Sequence, residues 1–192
     1  MHVKLSETER RTLLRLARTA IARAIGAGDA EARPTPFEPP SMAMLRPACA
    51  FVSLHVGQDL RGCIGHLEPD APLTDVVQRC AVSAALSDPR FSPVSPAEWS
   101  RVALEISVLG LFEVVADIAE IEVGRHGLIA EHCERRGLLL PQVAIEWGWN
   151  REEFVEQTCR KAGLPKDAWS RGAKLFKFEA DVFGEDLHHR GH

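Results

Sequence analysis

Apolar residues near the start of the chain recur every three or four positions, which places them on one face of an α-helix. The residues on this face are Leu13, Leu16, Ala17, Ala20, Ile21 and Ala24. Ser6 and Glu9 have the spacing of a capping box, and Gly26 is a stop signal after the last apolar position. The pattern predicts an N-terminal amphipathic helix that ends at Gly26.

A proline-rich stretch follows, and then residues alternate between apolar and polar. Five prolines between positions 27 and 47 predict an extended arm that lies along the surface. Strands are predicted over 49–56 and 60–67, joined through residues 57–59. These two strands are expected to form a hairpin.

Burial predicts how the strands of this hairpin pair. A three-residue loop places the apolar residues of both strands on one face. Those residues are Val52, Leu54 and Val56 in the first strand, and Leu60 and Ile64 in the second. The other face then gathers polar side chains, with Ser53 opposite Cys63 and His55 opposite Arg61.

The rest of the chain repeats the order of elements that begins with the first hairpin. The predicted elements are a helix over 73–84, strands over 102–115, 127–132 and 137–141, a helix from 150 to 163 and a strand over 174–182. The chain thus runs twice through strand, polar turn, Arg-Gly, strand and helix. This weak repeat is explained by two similar α+β units with a cleft between them. The pattern leaves the lobe boundaries open and allows the lobes to interleave.

Composition restricts the classes of function. With 23 basic and 27 acidic residues, the net charge of −4 provides no overall field that would attract nucleic acid. The five cysteines are an odd number, and the start of the chain lacks the apolar core of a signal peptide. No apolar run approaches the length of a membrane span. We therefore expect a soluble protein in a reducing cytoplasm.

The strongest candidate chemistry lies in the second strand of the first hairpin. Cys63 and Arg61 share a face of the strand, and a neighbouring guanidinium favours the thiolate. Cys63 is therefore a candidate nucleophile or redox thiol, with His55 as the candidate base. Gly62 and Gly65 leave the backbone bare where a ligand approaches. The structural alternative is that Cys63 is a small half-buried residue and that Arg61 pairs with a carboxylate.

Further binding residues are expected around the cleft. They are Ser53, His126, Gln142 and Glu146, and His126 is also the alternative base if the two hairpins approach each other. Trp147 and Trp149 are either anchors of an interface or covers of the core. Cys63 with His66, and His126 with His132 and Cys133, have the residue types of a metal site. Their members face opposite sides of regular strands, so no metal is expected, and no cofactor is identified.

The ordered motifs of the chain resemble those of the AMMECR domain family. They are Phe51-Val52-Ser53-Leu54, Leu60-Arg61-Gly62-Cys63-Ile64-Gly65, Asp88-Pro89-Arg90-Phe91, His126-Gly127-Leu128, Gly137-Leu138-Leu139-Leu140-Pro141-Gln142-Val143-Ala144 and Lys161-Ala162-Gly163-Leu164. The resemblance implies an α+β fold of two lobes, each an antiparallel sheet with flanking helices, related by internal duplication and separated by a cleft. It carries no established biochemical activity.

Bacterial and archaeal members of this family resemble component A of the AmmeMemoRadiSam set, which also contains a MEMO-like protein and a radical SAM protein. The resemblance therefore implies a component of a multi-protein modification pathway. Within it, the chain is either a thiol-dependent enzyme or a binding module for a protein, peptide or small ligand. The sequence identifies neither the substrate nor the oligomeric state.

Overall fold

The computed structural model describes residues 4–27 and 39–185. The α-helices are α1 (Glu7–Ile25), α2 (Met42–Leu45), α3 (Leu73–Leu86), α4 (Pro141–Glu146) and α5 (Arg151–Lys161). The strands are β1 (Cys49–Val56), β2 (Asp59–His66), β3 (Val102–Leu109), β4 (Glu113–Val114), β5 (His126–His132), β6 (Arg135–Leu139) and β7 (Lys174–Gly184). The pairs β1–β2, β4–β7, β5–β6 and β5–β7 are antiparallel, which confirms the predicted α+β class.

The chain divides into two compact units. The first contains the described residues up to Val108 together with 181–185, and the second contains Leu109–Ala180. The core of the first unit is built from α1, β1, α3 and β3, whereas that of the second is built from β5, α4, α5 and the start of β7. Strand β7 therefore contributes residues to both units. The predicted cleft between lobes stays a prediction.

Helix α1 forms as its capping pattern predicts. The Ser6 hydroxyl accepts the backbone N–H of Glu9, and the Glu9 carboxylate accepts the N–H of Ser6 at 2.7 Å. Gly26 ends the helix with a φ of 69°. The face buried in the core includes Leu13, Ala17 and Ile21. The predicted amphipathic helix is confirmed.

The predicted extended arm over 27–47 is wrong at its end, and residues 28–38 lie outside the described part of the chain. Residues 42–45 form α2 instead. Ser41 caps this helix by accepting the N–H of Met44, and no proline interrupts positions 41–46. Met44 is buried in the first core. A short capped helix therefore replaces extended chain there.

Strands β1 and β2 pair as predicted over most of their length, with Ser53 opposite Cys63 and Val52 opposite Ile64. A β-bulge shifts the register between Leu54 and His55, so that Arg61 is the extra residue. His55 consequently lies opposite Leu60, and the predicted pairing of His55 with Arg61 is wrong.

The bulge also changes which side of the hairpin Leu60 occupies. A one-residue shift moves every side chain beyond it to the other face. Leu60 was predicted on the apolar face, but it lies on the side of His55 and is 39% exposed. Val52 and Leu54, on the inner side of the bulge, are fully buried against α3 as predicted.

The second unit contains a similar hairpin. His132 lies opposite Arg135, so the turn is the dipeptide Cys133-Glu134 and is shorter than the predicted connection over 133–136. Cys133 adopts a φ of 54° in this turn. The predicted strand over 137–141 ends at Leu139, because Pro141 begins α4. The helix capped by Asn150 and the last strand are confirmed as α5 and β7.

The same close contact recurs in the two hairpins. A Cβ atom on Gly62 would lie 2.2 Å from the carbonyl oxygen of Ala84, near the end of α3. A Cβ on Gly137 would lie 2.3 Å from the backbone nitrogen of Ala162, which caps the end of α5. In each unit, the glycine of an Arg-Gly dipeptide thus lets the C-terminal end of a later helix, α3 or α5, touch the second strand. This shared contact gives the sequence repeat a structural basis.

We expect Gly62→Ala and Gly137→Ala each to lower the free energy of unfolding by about 3 kcal/mol, because the obstructing atoms are backbone and cannot rotate away. Gly110→Ala is the control, since its Cβ would meet its nearest atom, the Glu179 carbonyl oxygen, at 3.2 Å. That variant should lose about 1 kcal/mol. Urea unfolding measures all three, and equal losses at Gly62 and Gly110 would contradict the close-contact explanation.

Candidate functional site

Cys63 lies on the hairpin face opposite the one that Gly62 presents to α3. The Ser53 hydroxyl, directly across the hairpin, donates a hydrogen bond to the Cys63 sulfur at 3.2 Å. Ser53 is buried and Cys63 is half-buried. The predicted pairing of Ser53 with Cys63 therefore brings a hydroxyl into contact with the thiol.

The loop after α3 holds the backbone of Cys63. The Asp88 carboxylate accepts the Cys63 N–H at 2.9 Å, and the Arg90 guanidinium donates to the Cys63 carbonyl at 3.3 Å. Asp88 and Arg90 also pair with each other, with Nη2 to Oδ2 at 2.6 Å and Nε to Oδ1 at 2.9 Å. These contacts take the place of the backbone hydrogen bonds that a neighbouring strand would make on the outer side of β2.

Burial sets the charge state of Cys63, whereas Arg90 sets that of Asp88. It raises the pKa of the Cys63 thiol, although the Ser53 hydrogen bond and the charge of Arg90 act in the opposite direction. The hydrogen bond from Arg90 holds the pKa of Asp88 far below its usual range, despite the burial of that carboxyl. Asp88 is therefore ionised at neutral pH, whereas the thiol of Cys63 stays protonated.

Arg61 does not act on Cys63 as the sequence suggested. Its guanidinium forms two hydrogen bonds with the Glu98 carboxylate, from Nη2 at 2.9 Å and from Nε at 3.1 Å. Further bonds go to the carbonyl oxygens of Ser92 and Pro93. The bulge directs Arg61 to these partners, and the cation that acts on Cys63 is Arg90. The structural alternative for Arg61, pairing with a carboxylate, is the one observed.

His55 is also displaced from its predicted position by the bulge. Its Nε2 is enclosed and makes no hydrogen bond to the residues that the structure describes. Its strand partner is Leu60 rather than Arg61. No hydrogen bond links His55 to Cys63 within the described chain, so the geometry of a Cys-His pair is absent there.

A polar pocket of about 420 Å³ lies within the second unit. His126, at the start of β5, forms part of its wall and is 8% exposed. Six charged side chains surround it: Glu113, Glu120, Glu122, Arg125, Lys177 and Glu179. The pocket therefore brings together residues from β4, β5, β7 and the segment before β5.

The surroundings of His126 select one tautomer and favour its neutral form. Its Nδ1 accepts the backbone N–H of Glu122 at 3.0 Å, so the ring proton of the neutral form is on Nε2. Burial, followed by the charge of Lys177, lowers the pKa of His126. Nε2 makes no hydrogen bond to residues 4–27 or 39–185, which leaves its N–H available to a ligand.

Ion pairs order the charged groups of the pocket. Lys177 Nζ lies 2.8 Å from a Glu120 oxygen. Arg125 bridges two carboxylates, with Nε 2.6 Å from Glu179 and Nη1 3.1 Å from Glu122. Both cations are thus already matched by anions. The arrangement can hold a ligand through hydrogen bonds and charge.

A family model described as AMMECR1 matches residues 14–183, which include both hairpins, the Asp88–Arg90 clamp and the His126 pocket. The chain belongs to the AMMECR1 family. Residues 60–65 and 88–91, which carried the resemblance, meet at Cys63 in the structure.

Archaeal AMMECR1 relatives cover nearly the whole chain. A protein from Methanothermobacter thermautotrophicus is 44% identical over 96% of this chain and 98% of its own length. A protein from Methanopyrus kandleri is 40% identical over 97% of this chain and 93% of its own. The crystal structure of an uncharacterised protein from Pyrococcus horikoshii has a TM-score of 0.85 at 39% identity, and covers 95% of this chain and 94% of its own.

The other predicted binding residues of this AMMECR1 protein are divided between the two units. His126, Gln142 and Glu146 belong to the second unit, the latter two on α4 rather than after a strand. Gly65 lies beneath the ring of Phe51, where a Cβ would come within 2.3 Å of a ring carbon, so it serves packing. No group of three His, Cys, Asp or Glu side chains among the described residues could hold a metal ion.

Sequence reasoning missed most of the pocket around His126. Arg125 directly precedes the motif that begins at His126. This position was the signal that could have identified Arg125 as part of the pocket. Glu120 and Lys177 are separated by 57 positions, and only strand pairing brings Lys177 opposite Leu128 on β5.

No helix of the described chain is long and apolar enough to cross a membrane.

Asp88→Asn should lower the free energy of unfolding by about 2 kcal/mol at pH 7, because the Arg90 and Cys63 donors lose a charged acceptor. Since the fold lowers the pKa of Asp88, its contribution is complete above the unfolded pKa of about 3.9 and is lost as the pH falls through the lower folded value. The gap between wild type and variant should therefore shrink below pH 4. Urea unfolding from pH 7 to pH 2 tests this, with the exposed Asp59→Asn as control; a gap independent of pH would contradict the assignment.

Native Cys63 should react with iodoacetamide roughly tenfold more slowly at pH 7.5 than Cys133, because burial raises the pKa of Cys63 and because Cys63 is half-buried whereas Cys133 is exposed. Peptide mass spectrometry over time gives both rates. The double variant Arg61→Ala with Glu98→Ala removes the ion pair without leaving either charge unpaired. It should leave the Cys63 rate unchanged, whereas a fast Cys63 that slows in this variant would support an Arg61-activated thiol.

Proposed function

We propose that the protein is a binding module whose pocket around His126 holds a small polar ligand or a polar part of a peptide. One observation carries this proposal: a neutral, nearly buried histidine offers an N–H, unpaired within residues 4–27 and 39–185, in a charged pocket of about 420 Å³. Such a pocket has convergent polar groups and a shifted pKa, the features expected of a ligand site.

The surroundings of Cys63 favour this role over thiol catalysis. A nucleophilic cysteine needs thiolate character, but burial raises the pKa of Cys63. The clamp of Asp88 and Arg90 engages the Cys63 backbone, and Glu98 engages Arg61. These contacts support a structural role for the Leu60–Gly65 segment, as the site where the loop after α3 is attached to β2.

The resemblance to AmmeMemoRadiSam component A supports a place for this module in a modification pathway with a MEMO-like protein and a radical SAM protein. In that setting, a binding module presents a ligand or peptide to a catalytic partner. The test is a pull-down with this protein. It should capture a purified MEMO-like protein from an organism whose genome encodes both proteins. Absence of a complex at micromolar concentrations, with and without the radical SAM protein, would count against it.

His126→Asn should abolish ligand binding without unfolding the protein. The Asn side-chain oxygen can replace Nδ1 as acceptor for the Glu122 N–H, whereas the donor Nε2–H is lost. The measurement is titration of ¹⁵N-labelled protein with acetate, acetamide, methylammonium and glycinamide, followed through backbone amide shifts near the pocket. At least one of the probes that carry an acceptor oxygen, acetate, acetamide or glycinamide, should give saturable shifts in wild type, in Cys63→Ser and in His132→Asn, and none of these three should do so in His126→Asn. If no probe gives saturable shifts in wild type, the proposed function fails.

A further inference from the structure

The His126 pocket has an excess of negative charge. Four carboxylates and two cations line it, and His126 is neutral. Lys177 and Arg125 are matched by Glu120, Glu122 and Glu179. Charge complementarity therefore favours a cationic ligand over an anionic one.

Glu113 is the carboxylate that a cationic ligand would meet. Its side chain makes no ion pair or hydrogen bond within residues 4–27 and 39–185, although it lines the pocket. Strand β4 presents it, and pairing with Lys177 on β7 fixes its position on the wall. A bound ammonium group would supply Glu113 with the partner that it lacks in the described chain.

His126 points independently to a second group on the ligand. Its Nε2–H is a donor on a side chain that is only 8% exposed, and it makes no hydrogen bond to the described residues. The atom faces the pocket and, unlike His55 Nε2, is not sealed from solvent, so a ligand that displaces water from this N–H is expected to bring an acceptor. A neutral carbonyl oxygen suits this position better than a carboxylate, because the pocket already has excess negative charge.

We propose that the pocket takes an organic ammonium group with a neutral carbonyl beside it, a pairing found in amino-acid amides and at the free N-terminus of a peptide. The ammonium lies against Glu113, and the carbonyl oxygen accepts the Nε2–H of His126. This inference rests on the proposed function, since it specifies the ligand class of the same pocket. N-terminal amines are a recurring target of peptide-binding sites.

Affinities of four probes measured by amide-shift titration at pH 7 test the ligand class. Glycinamide carries both groups, whereas methylammonium carries only the cation, acetamide only the carbonyl and acetate an anion. Glycinamide should bind most tightly and acetate least tightly. If acetate binds most tightly, the ligand class is overturned while the proposed function stands; if no probe binds, the proposed function itself fails.

Glu113→Gln identifies the group that receives the ammonium. The variant should weaken glycinamide binding about threefold, the usual scale for a solvent-accessible ion pair, and leave acetamide binding unchanged. Glu134→Gln removes the same charge from the β5–β6 turn, outside the pocket, and should change neither affinity. Equal weakening by both variants, or no effect of Glu113→Gln, would overturn the role of Glu113.

Triglycine amide distinguishes the two sources of this chemistry. If it binds at least as tightly as glycinamide, the pocket accepts a peptide N-terminus, and if it fails to bind while glycinamide does, the pocket accepts a small free amine. N-acetylglycinamide lacks the ammonium and should bind no better than acetamide. Tighter binding of the acetylated probe would overturn the requirement for a cation.

Discussion

Direct contact between helix and strand backbones is the constraint on which both units depend. At Gly62 and at Gly137, the end of a helix comes so close that a single Cβ atom would overlap with backbone. Glycine at these positions lets α3 and α5 pack against their hairpins, and the apolar faces of both helices then close two separate cores. Because interiors are packed to crystal-like density, neither helix can retreat without opening a void.

The position of α3 in turn explains the clamp at Cys63. The helix ends at Leu86, so Asp88 and Arg90 follow directly beside the outer edge of β2. An unpaired strand edge exposes N–H and carbonyl groups, and the two side chains satisfy one of each. The distinctive cysteine motif is thereby explained as an attachment point. Its glycines accommodate a helix and the ring of Phe51, which leaves no need for a bound substrate to account for them.

The His126 pocket differs from this arrangement in what its contacts leave available. At Cys63 the backbone N–H, the carbonyl and the thiol all have partners within the protein. At His126 one ring nitrogen orients the imidazole through Glu122, and the other remains a donor. A group held rigidly with one unused bonding position is pre-organised for recognition. This difference is why we assign binding to the pocket in the second unit.

The sequence alone determined most of the local elements, but not α2 or α4, and it determined the family. Apolar periodicity, capping residues and turn glycines act over a few positions, so α1, α5, the two hairpins and the pairing of Ser53 with Cys63 were all predictable. Tertiary structure decided the rest. The bulge at Arg61 depends on how the hairpin meets its surroundings, and it separated Arg61 and His55 from their expected places. The pocket depends on pairing between β4, β5 and β7, which joins Glu113, His126 and Lys177 across long stretches of chain. Such long-range contacts leave no periodic signal in the sequence, because each residue type is ordinary where it stands and acquires its role only from its neighbours in space.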